Sequence, residues 1–297
     1  ISTIVRSFSS IGFSGIISAA GVPEPALFDG PSCLTVSTAG VAAGCSASGA
    51  LFLFDIDPAS GELAFLDVKA PAASDFAIPA EVPGDIPADS NPLSGVSAVA
   101  CQETSDIIYA AGTDSDTITS YNIESAALIP HQIVSSEALT AAGFDGLLLD
   151  GPEDLAVSPD GSFLAAACRF SDSLLIFEIG GADTTLLPVA AFSDGLDGVD
   201  GLNGTSGVCF SPDGRDIYAT GYYDDAVTLY QQDPATGDWR FIDCWGETHF
   251  PDAALHYPRG VTVSPDGTEV YVCASGSDAL TVFQRDTATG ALSAPGS

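Results

Sequence analysis

The tetrapeptide Ser-Pro-Asp-Gly occurs at residues 158–161, 211–214 and 264–267, at two equal intervals of 53 residues. A fixed period of that length marks a chain made of copies of one supersecondary unit, each burying its apolar faces only against its neighbours. Sliding the pattern toward the N-terminus finds two degenerate copies, CQETSDIIYAAGTDSDTITSY anchored at Gln102 and VSTAGVAAGCSASGALFLF anchored at Ser37, the latter two residues shorter. Five units are visible, anchored at Ser37, Gln102, Ser158, Ser211 and Ser264.

Each unit reads as an apolar stretch such as GVTVS, a turn at PDG, an alternating run such as EVYVCAS, a polar turn, then ALTVFQR and a second turn. Short runs rich in β-branched and aromatic residues between Gly, Asp and Pro turns are strands, and no helical period of comparable length separates them. The turns Asp57–Gly61, Asp233–Gly237 and Asp286–Gly290 end on the residue type that tolerates positive φ. A fourth strand follows the first two of them, as ELAFLDV and DWRFIDC.

Four antiparallel strands repeated at such a period, with no helices to cover a sheet, predict an all-β fold, a β-propeller of four-stranded antiparallel blades. The chain is read as one domain over residues 1–297, with five blades, or six or seven if it is a fragment. The last unit ends in a short ALSAPGS, so IVRSFSSIGF at the N-terminus is expected to supply its fourth strand and hide its edge. Residues 69–94, with five prolines, read as an extended inter-blade loop.

The chain carries 40 acidic residues, 30 Asp and 10 Glu, against 7 basic ones, for a net charge of −33. That balance argues against a nucleic-acid partner, which needs Lys and Arg to displace counterions, and against a polybasic membrane attachment. No apolar run reaches the ~18 residues of a membrane span, so direct membrane insertion is not expected. The seven cysteines form no CxxC or Cys/His cluster with zinc-ligand spacing.

Several recurring residues read as structural. Asp116, Asp172, Asp225 and Asp278 stand 14 positions after their anchors, where each could hold its turn closed by accepting backbone N–H bonds. Tyr109, Tyr218 and Tyr271 are expected between blades. Function is sought in the loop entering each first strand, because the innermost strands of a propeller surround its channel. Eight positions before the anchors stand Asp29, Ser94, Asp150, Asn203 and His256; five before stand Ser32, Ser97, Glu153, Ser206 and Arg259. Asp29, Asp150 and Asn203 are the candidate binding residues at the channel mouth.

The segments GVTVSPDGTEVYVCASGSDALTVFQRDTATGALS and GVCFSPDGRDIYATGYYDDAVTLYQQDPATGDW resemble the repeats of the lactonase-type, YVTN-like seven-bladed β-propeller family, over roughly 200 residues from Val96 onward. His256-Tyr257-Pro258-Arg259-Gly260 is similar to the Pro-Arg-His segment of phosphogluconolactonase-type members, with Arg259 matching the arginine and Gly260 standing where the histidine would be. The resemblance implies lactone opening, which needs a base to activate water and a cation to stabilise the oxyanion. Glu153 or His256 is the candidate base and Arg259 the candidate cation.

A second cluster, Asp194, Asp197 and Asp200, places carboxylates at three-residue spacing between glycines, as candidate ligands for calcium, the one cofactor considered. The ring as a whole is poor in His, Arg and Lys. The reading therefore favours a non-catalytic acidic propeller, an interaction or scaffolding module with a protein partner in an extracellular, periplasmic or lumenal assembly. The alternative is a lactone hydrolase or lactonising enzyme with its site at the channel mouth.

Overall fold

The computed structural model describes residues 22–23, 26–37, 40–57, 62–70, 91–102, 106–180 and 184–294. The N-terminal segment IVRSFSSIGF, most of the proline-rich insertion and the turn residues 58–61 lie outside them.

Five four-stranded antiparallel sheets follow one another along the chain. Blade one is β1 (Pro31–Ser37), β2 (Gly40–Cys45), β3 (Ala50–Ile56) and β4 (Leu63–Lys69); blade two is β5 (Val96–Cys101), β6 (Ile107–Gly112), β7 (Thr117–Glu124) and β8 (Ala127–Val134). Blade three is β9 (Pro152–Val157), β10 (Phe163–Cys168), β11 (Ser173–Ile179) and β12 (Leu186–Ser193), preceded by the short helix α1 (Ser136–Ala141). Blade four is β13 (Thr205–Phe210), β14 (Asp216–Gly221), β15 (Ala226–Gln232) and β16 (Trp239–Trp245). Blade five is β17 (Pro258–Val263), β18 (Glu269–Ala274), β19 (Ala279–Arg285) and β20 (Leu292–Ser293). The two-residue β20 occupies the outer position that the sequence reading reserved for the N-terminal segment.

The inner strands β1, β5, β9, β13 and β17 pack side by side in that order, and no comparable packing joins β17 to β1 among the described residues. The described blades thus form an arc. The apolar cores lie between consecutive blades. Between blades three and four, Ala165, Ala167, Leu174 and Ile176 meet Val208, Ile217, Ala219 and Tyr230. Alanines in the second strand let the sheets approach, while each fully buried Leu or Ile contributes about 1.5–3 kcal/mol. The outward face of blade one is covered by Val22, Leu27 and Phe28, the last edge-on to Phe52 at 5.0 Å. Leu280 on the outward face of blade five is 67% exposed and Tyr271 is only half-buried, whereas Tyr109 and Tyr218 are buried between blades as expected.

The repeated turns close as their residues dictate. In SPDG the Ser158 Oγ donates to Asp160 (2.6 Å) and accepts the Phe163 N–H (2.9 Å), and Gly161 takes φ +74°. In the fifth unit, the Ser264 hydroxyl and the Thr268 N–H hold the Asp266 carboxyl below the usual range.

The aspartates 14 residues after the anchors do more than hold their own turns. Asp116, Asp172 and Asp225, all near φ +50°, each accept a backbone N–H from the next blade, from Gly151 (2.8 Å), Gly204 (2.6 Å) and Tyr257 (2.8 Å). They are clasps between blades, a correction to the sequence reading. The receiving residue, seven positions before its anchor, is left-handed in every unit: Gly30, Gly95, Gly151, Gly204 and Tyr257 lie between φ +55° and +69°.

Candidate functional site

The position five before each anchor has a structural role in three units. Ser32, Ser97 and Ser206 donate to the carbonyl that opens the next inner strand, at Val96 (2.8 Å), Pro152 (2.9 Å) and Pro258 (2.8 Å). Blades three and five carry Glu153 and Arg259 there instead. The position 11 after the anchor, at the exit of the second strand, also holds a structural hydroxyl: Thr113 donates to the Pro152 carbonyl of the next blade (2.7 Å) and Ser275 to the Tyr257 carbonyl at the entry of its own blade (3.1 Å). Blades three and four depart from it with Arg169 and Tyr222. These four departures come together in space.

Arg169 Nη1 lies 3.1 and 3.0 Å from the two Glu153 carboxylate oxygens, and Arg259 Nη1 lies 3.3 Å from Oε1. Both guanidinium carbons sit against the Tyr222 ring, 4.7 and 4.8 Å from its centroid, within cation–π range. Glu153 and Arg169 keep about a fifth of their side-chain surface in solvent and Arg259 nearly half, so the cluster is reachable from solvent. Burial works to lower the Arg169 pKa, but Glu153 and the Tyr223 phenol outweigh it and raise it.

The structure therefore brings Glu153 and Arg259 together and adds Arg169 and Tyr222, which the sequence reading missed. The signal was available in the repeat, because a Ser or Thr expected 11 residues past the anchor is replaced there by Arg and Tyr. His256 is held apart. Its Nδ1 bonds Asp225 Oδ2 (2.9 Å) and its ring stacks on Tyr257 at 3.8 Å, while Tyr257 stacks on Tyr222 at 4.5 Å and 7°. One ring face accommodates one stacked ring, so Tyr257 stands between His256 and the tyrosine that the arginines touch.

The remaining candidates disperse. Asp29 and Asp150 are exposed on separate entry loops, and the Asn203 N–H donates to Asp224 (2.9 Å). Partial burial and the neighbouring Asp116 push the Asp150 carboxyl up. Of the calcium candidates, Asp194 and Asp200 do converge, but with Asp224 rather than Asp197, their oxygens all within 4.8 Å of one another. Asp197, at φ +51°, lines an outer cavity of about 390 Å³ beside Phe192 and Trp239. Three carboxylates suit a hard cation that fills its other positions with water. Burial raises the Asp224 pKa, and the charges of Asp194 and Asp200 add to the rise.

Below Glu153 the next residue of β9, Asp154, accepts the Val208 N–H of β13 and the Leu155 N–H, both at 2.9 Å. Burial pushes its carboxyl up to about 6. The folded state thus binds more protons than the unfolded one between pH ~4 and ~6, and stability falls as pH rises through that window. Asp154→Asn, which keeps an acceptor for Val208 without the charge, is expected to raise unfolding free energy at pH 7 by about 1–2 kcal/mol and to change little at pH 4. Urea titrations at the two pH values check this; an equal effect at both would refute the assignment.

Residues 75–194 and 188–297 match the profile of a family described as Lactonase, 7-bladed beta-propeller. Among solved structures the chain is similar to a Bacteroides uniformis protein given as a candidate 6-phosphogluconolactonase (18% identity, TM-score 0.66, 89% of this chain and 68% of that one). It is similar also to the periplasmic gluconolactonase PpgL of Pseudomonas aeruginosa (21%, 0.62, 88% and 68%) and to a Lactobacillus plantarum protein (18%, 0.65, 89% and 70%). No curated protein matches in sequence.

Proposed function

This chain belongs to the lactonase family of seven-bladed β-propellers, and from that premise we propose that it hydrolyses lactones at the mouth of blades three to five. The non-catalytic scaffold expected from the scarcity of cations gives way to the enzymatic alternative. The observation that carries the reading is the convergence of Arg169 and Arg259 on Glu153, at positions where other blades keep structural Ser or Thr.

The chemistry follows from the groups. When a lactone carbonyl takes over an arginine N–H from Glu153, a carboxylate oxygen is freed to accept a proton from water. Water adds to the carbonyl carbon and its proton passes to Glu153, while the guanidinium N–H groups stabilise the oxyanion. Collapse breaks the ring C–O bond, and the leaving oxygen takes the proton back from Glu153, giving the open hydroxy acid. His256, beyond Tyr257, touches none of these atoms.

Turnover of a panel of sugar and acyl lactones, followed by acid release, tests the reading. The wild-type chain should hydrolyse at least one of them, and Arg259→Ala should reduce kcat by roughly 10²-fold, the scale for loss of one oxyanion donor. A wild-type chain inert toward the whole panel would overturn the proposal.

A further inference from the structure

Tyr257 stands where the other four units have glycine. Its φ of +55° is the left-handed conformation that Gly30, Gly95, Gly151 and Gly204 adopt at the same repeat position, and a bulky side chain is costly there. The surroundings over-determine it. Its N–H is fixed by Asp225 Oδ1 (2.8 Å), and its carbonyl accepts the Ser275 N–H (2.9 Å) and hydroxyl (3.1 Å). The other oxygen of the same Asp225 holds His256 (2.9 Å), whose ring lies on Tyr257. Twelve residues after its anchor the fifth unit has Gly276, where a Cβ would come within 2.8 Å of both rings, whereas units two to four carry Asp114, Phe170 and Tyr223, and the first unit, two residues shorter, carries Ala47 at the equivalent place. Two positions of the repeat are thus altered together to seat one ring.

That ring lies flat on Tyr222, at 4.5 Å and 7°, and Tyr222 is the surface against which Arg169 and Arg259 rest. Arg259 has nearly half its side chain in solvent, and among the described residues its guanidinium is fixed by Glu153 and Tyr222 alone. We infer that Tyr257 is a positioning residue: its strained backbone is kept so that its ring immobilises Tyr222 and, through it, the Arg259 guanidinium on Glu153. The inference rests on the lactonase reading for its catalytic consequence, and on the left-handed backbone and the ring contacts for its physical basis.

Three variants separate these parts. Tyr257→Gly relieves the left-handed strain and removes the ring, Tyr257→Ala keeps the strain and removes the ring, and Tyr257→Phe keeps both. Tyr257→Gly should melt a few degrees higher than Tyr257→Ala, the reverse of the order at an ordinary position. On a lactone turned over by the wild type, both truncations should lower kcat about 10-fold or more, with Tyr257→Phe close to wild type. Nitrogen NMR of the arginine side chains should show the Arg259 guanidinium losing its restricted rotation in Tyr257→Gly and keeping it in Tyr257→Phe. Wild-type kcat in Tyr257→Gly, or an Arg259 signal unchanged by it, would overturn the inference, as would Tyr257→Ala melting as high as Tyr257→Gly. A wild type that hydrolyses nothing removes the lactonase reading, and the melting order and the Arg259 signal then decide the inference by themselves.

Discussion

Glu153→Gln is expected to lower kcat/KM for lactone hydrolysis by roughly 10²- to 10⁴-fold, the range for removal of a general base. The substitution preserves size and one hydrogen-bond acceptor for the arginines, and it removes the group that takes the proton from water. The loss should fall on kcat, since the guanidiniums that would meet the carbonyl remain in place. Releasing Arg169 and Arg259 from a charged partner could tighten binding of an anionic product, which inhibition by the hydroxy acid would reveal. Stability should change less than activity, because glutamine keeps the side-chain volume and a hydrogen-bond acceptor for the arginines at a site still open to solvent. A kcat/KM within about threefold of wild type would place the proton acceptor elsewhere and reduce Glu153 to a tether for two arginines.

How this site was half visible in the sequence is instructive. The period of the SPDG turns sets the anchors, and counting back from them reaches Glu153 and Arg259, which the structure places at the starts of inner strands two blades apart. Counting forward was equally possible and would have reached Arg169 and Tyr222, because a propeller mouth is lined by the exit of each second strand as well as by the entry to each first. The ring of first-strand entries taken alone holds few cations, and so it reads as a scaffold. Which carboxylate an arginine meets was not legible, since Arg169 lies in the same blade as Glu153 and Arg259 comes from 106 residues further along. The same limit applies to the aspartate clasps, where the repeat announces a turn residue but not that its carboxylate reaches the following blade. It also applies to the acidic loop, where Asp197 is carried away by its left-handed backbone and Asp224 enters from the next blade.

Asp216→Ala should be the most destabilising substitution considered, at about 3–5 kcal/mol, the range for leaving one member of a buried ion pair alone. Asp216 and Arg285 have essentially no side-chain exposure and pair directly across the boundary of blades four and five. Arg285 also donates to the Tyr218 hydroxyl (2.9 Å) and the Gly267 carbonyl (2.8 Å), and that hydroxyl donates to the Gly290 carbonyl (2.6 Å). Asp216 Oδ1 accepts from Gln231 (2.8 Å). Removing the carboxylate leaves a guanidinium that solvent cannot reach with the half-exposed Asp213, 3.7 Å from Nη2, as its nearest remaining carboxylate, a longer and more solvated partner. The contrast is Arg240→Ala, whose ion pair with Asp233 is 57% exposed on the arginine side and should cost less than about 1 kcal/mol. Replacing both buried partners, as in Asp216→Leu with Arg285→Met, should recover much of the single-variant loss, because the pair's attraction largely repays its own desolvation and little more. Urea unfolding of the three variants checks all three statements. A loss near 1 kcal/mol for Asp216→Ala would mean that water enters between blades four and five, and that these last two blades are held by their apolar faces alone.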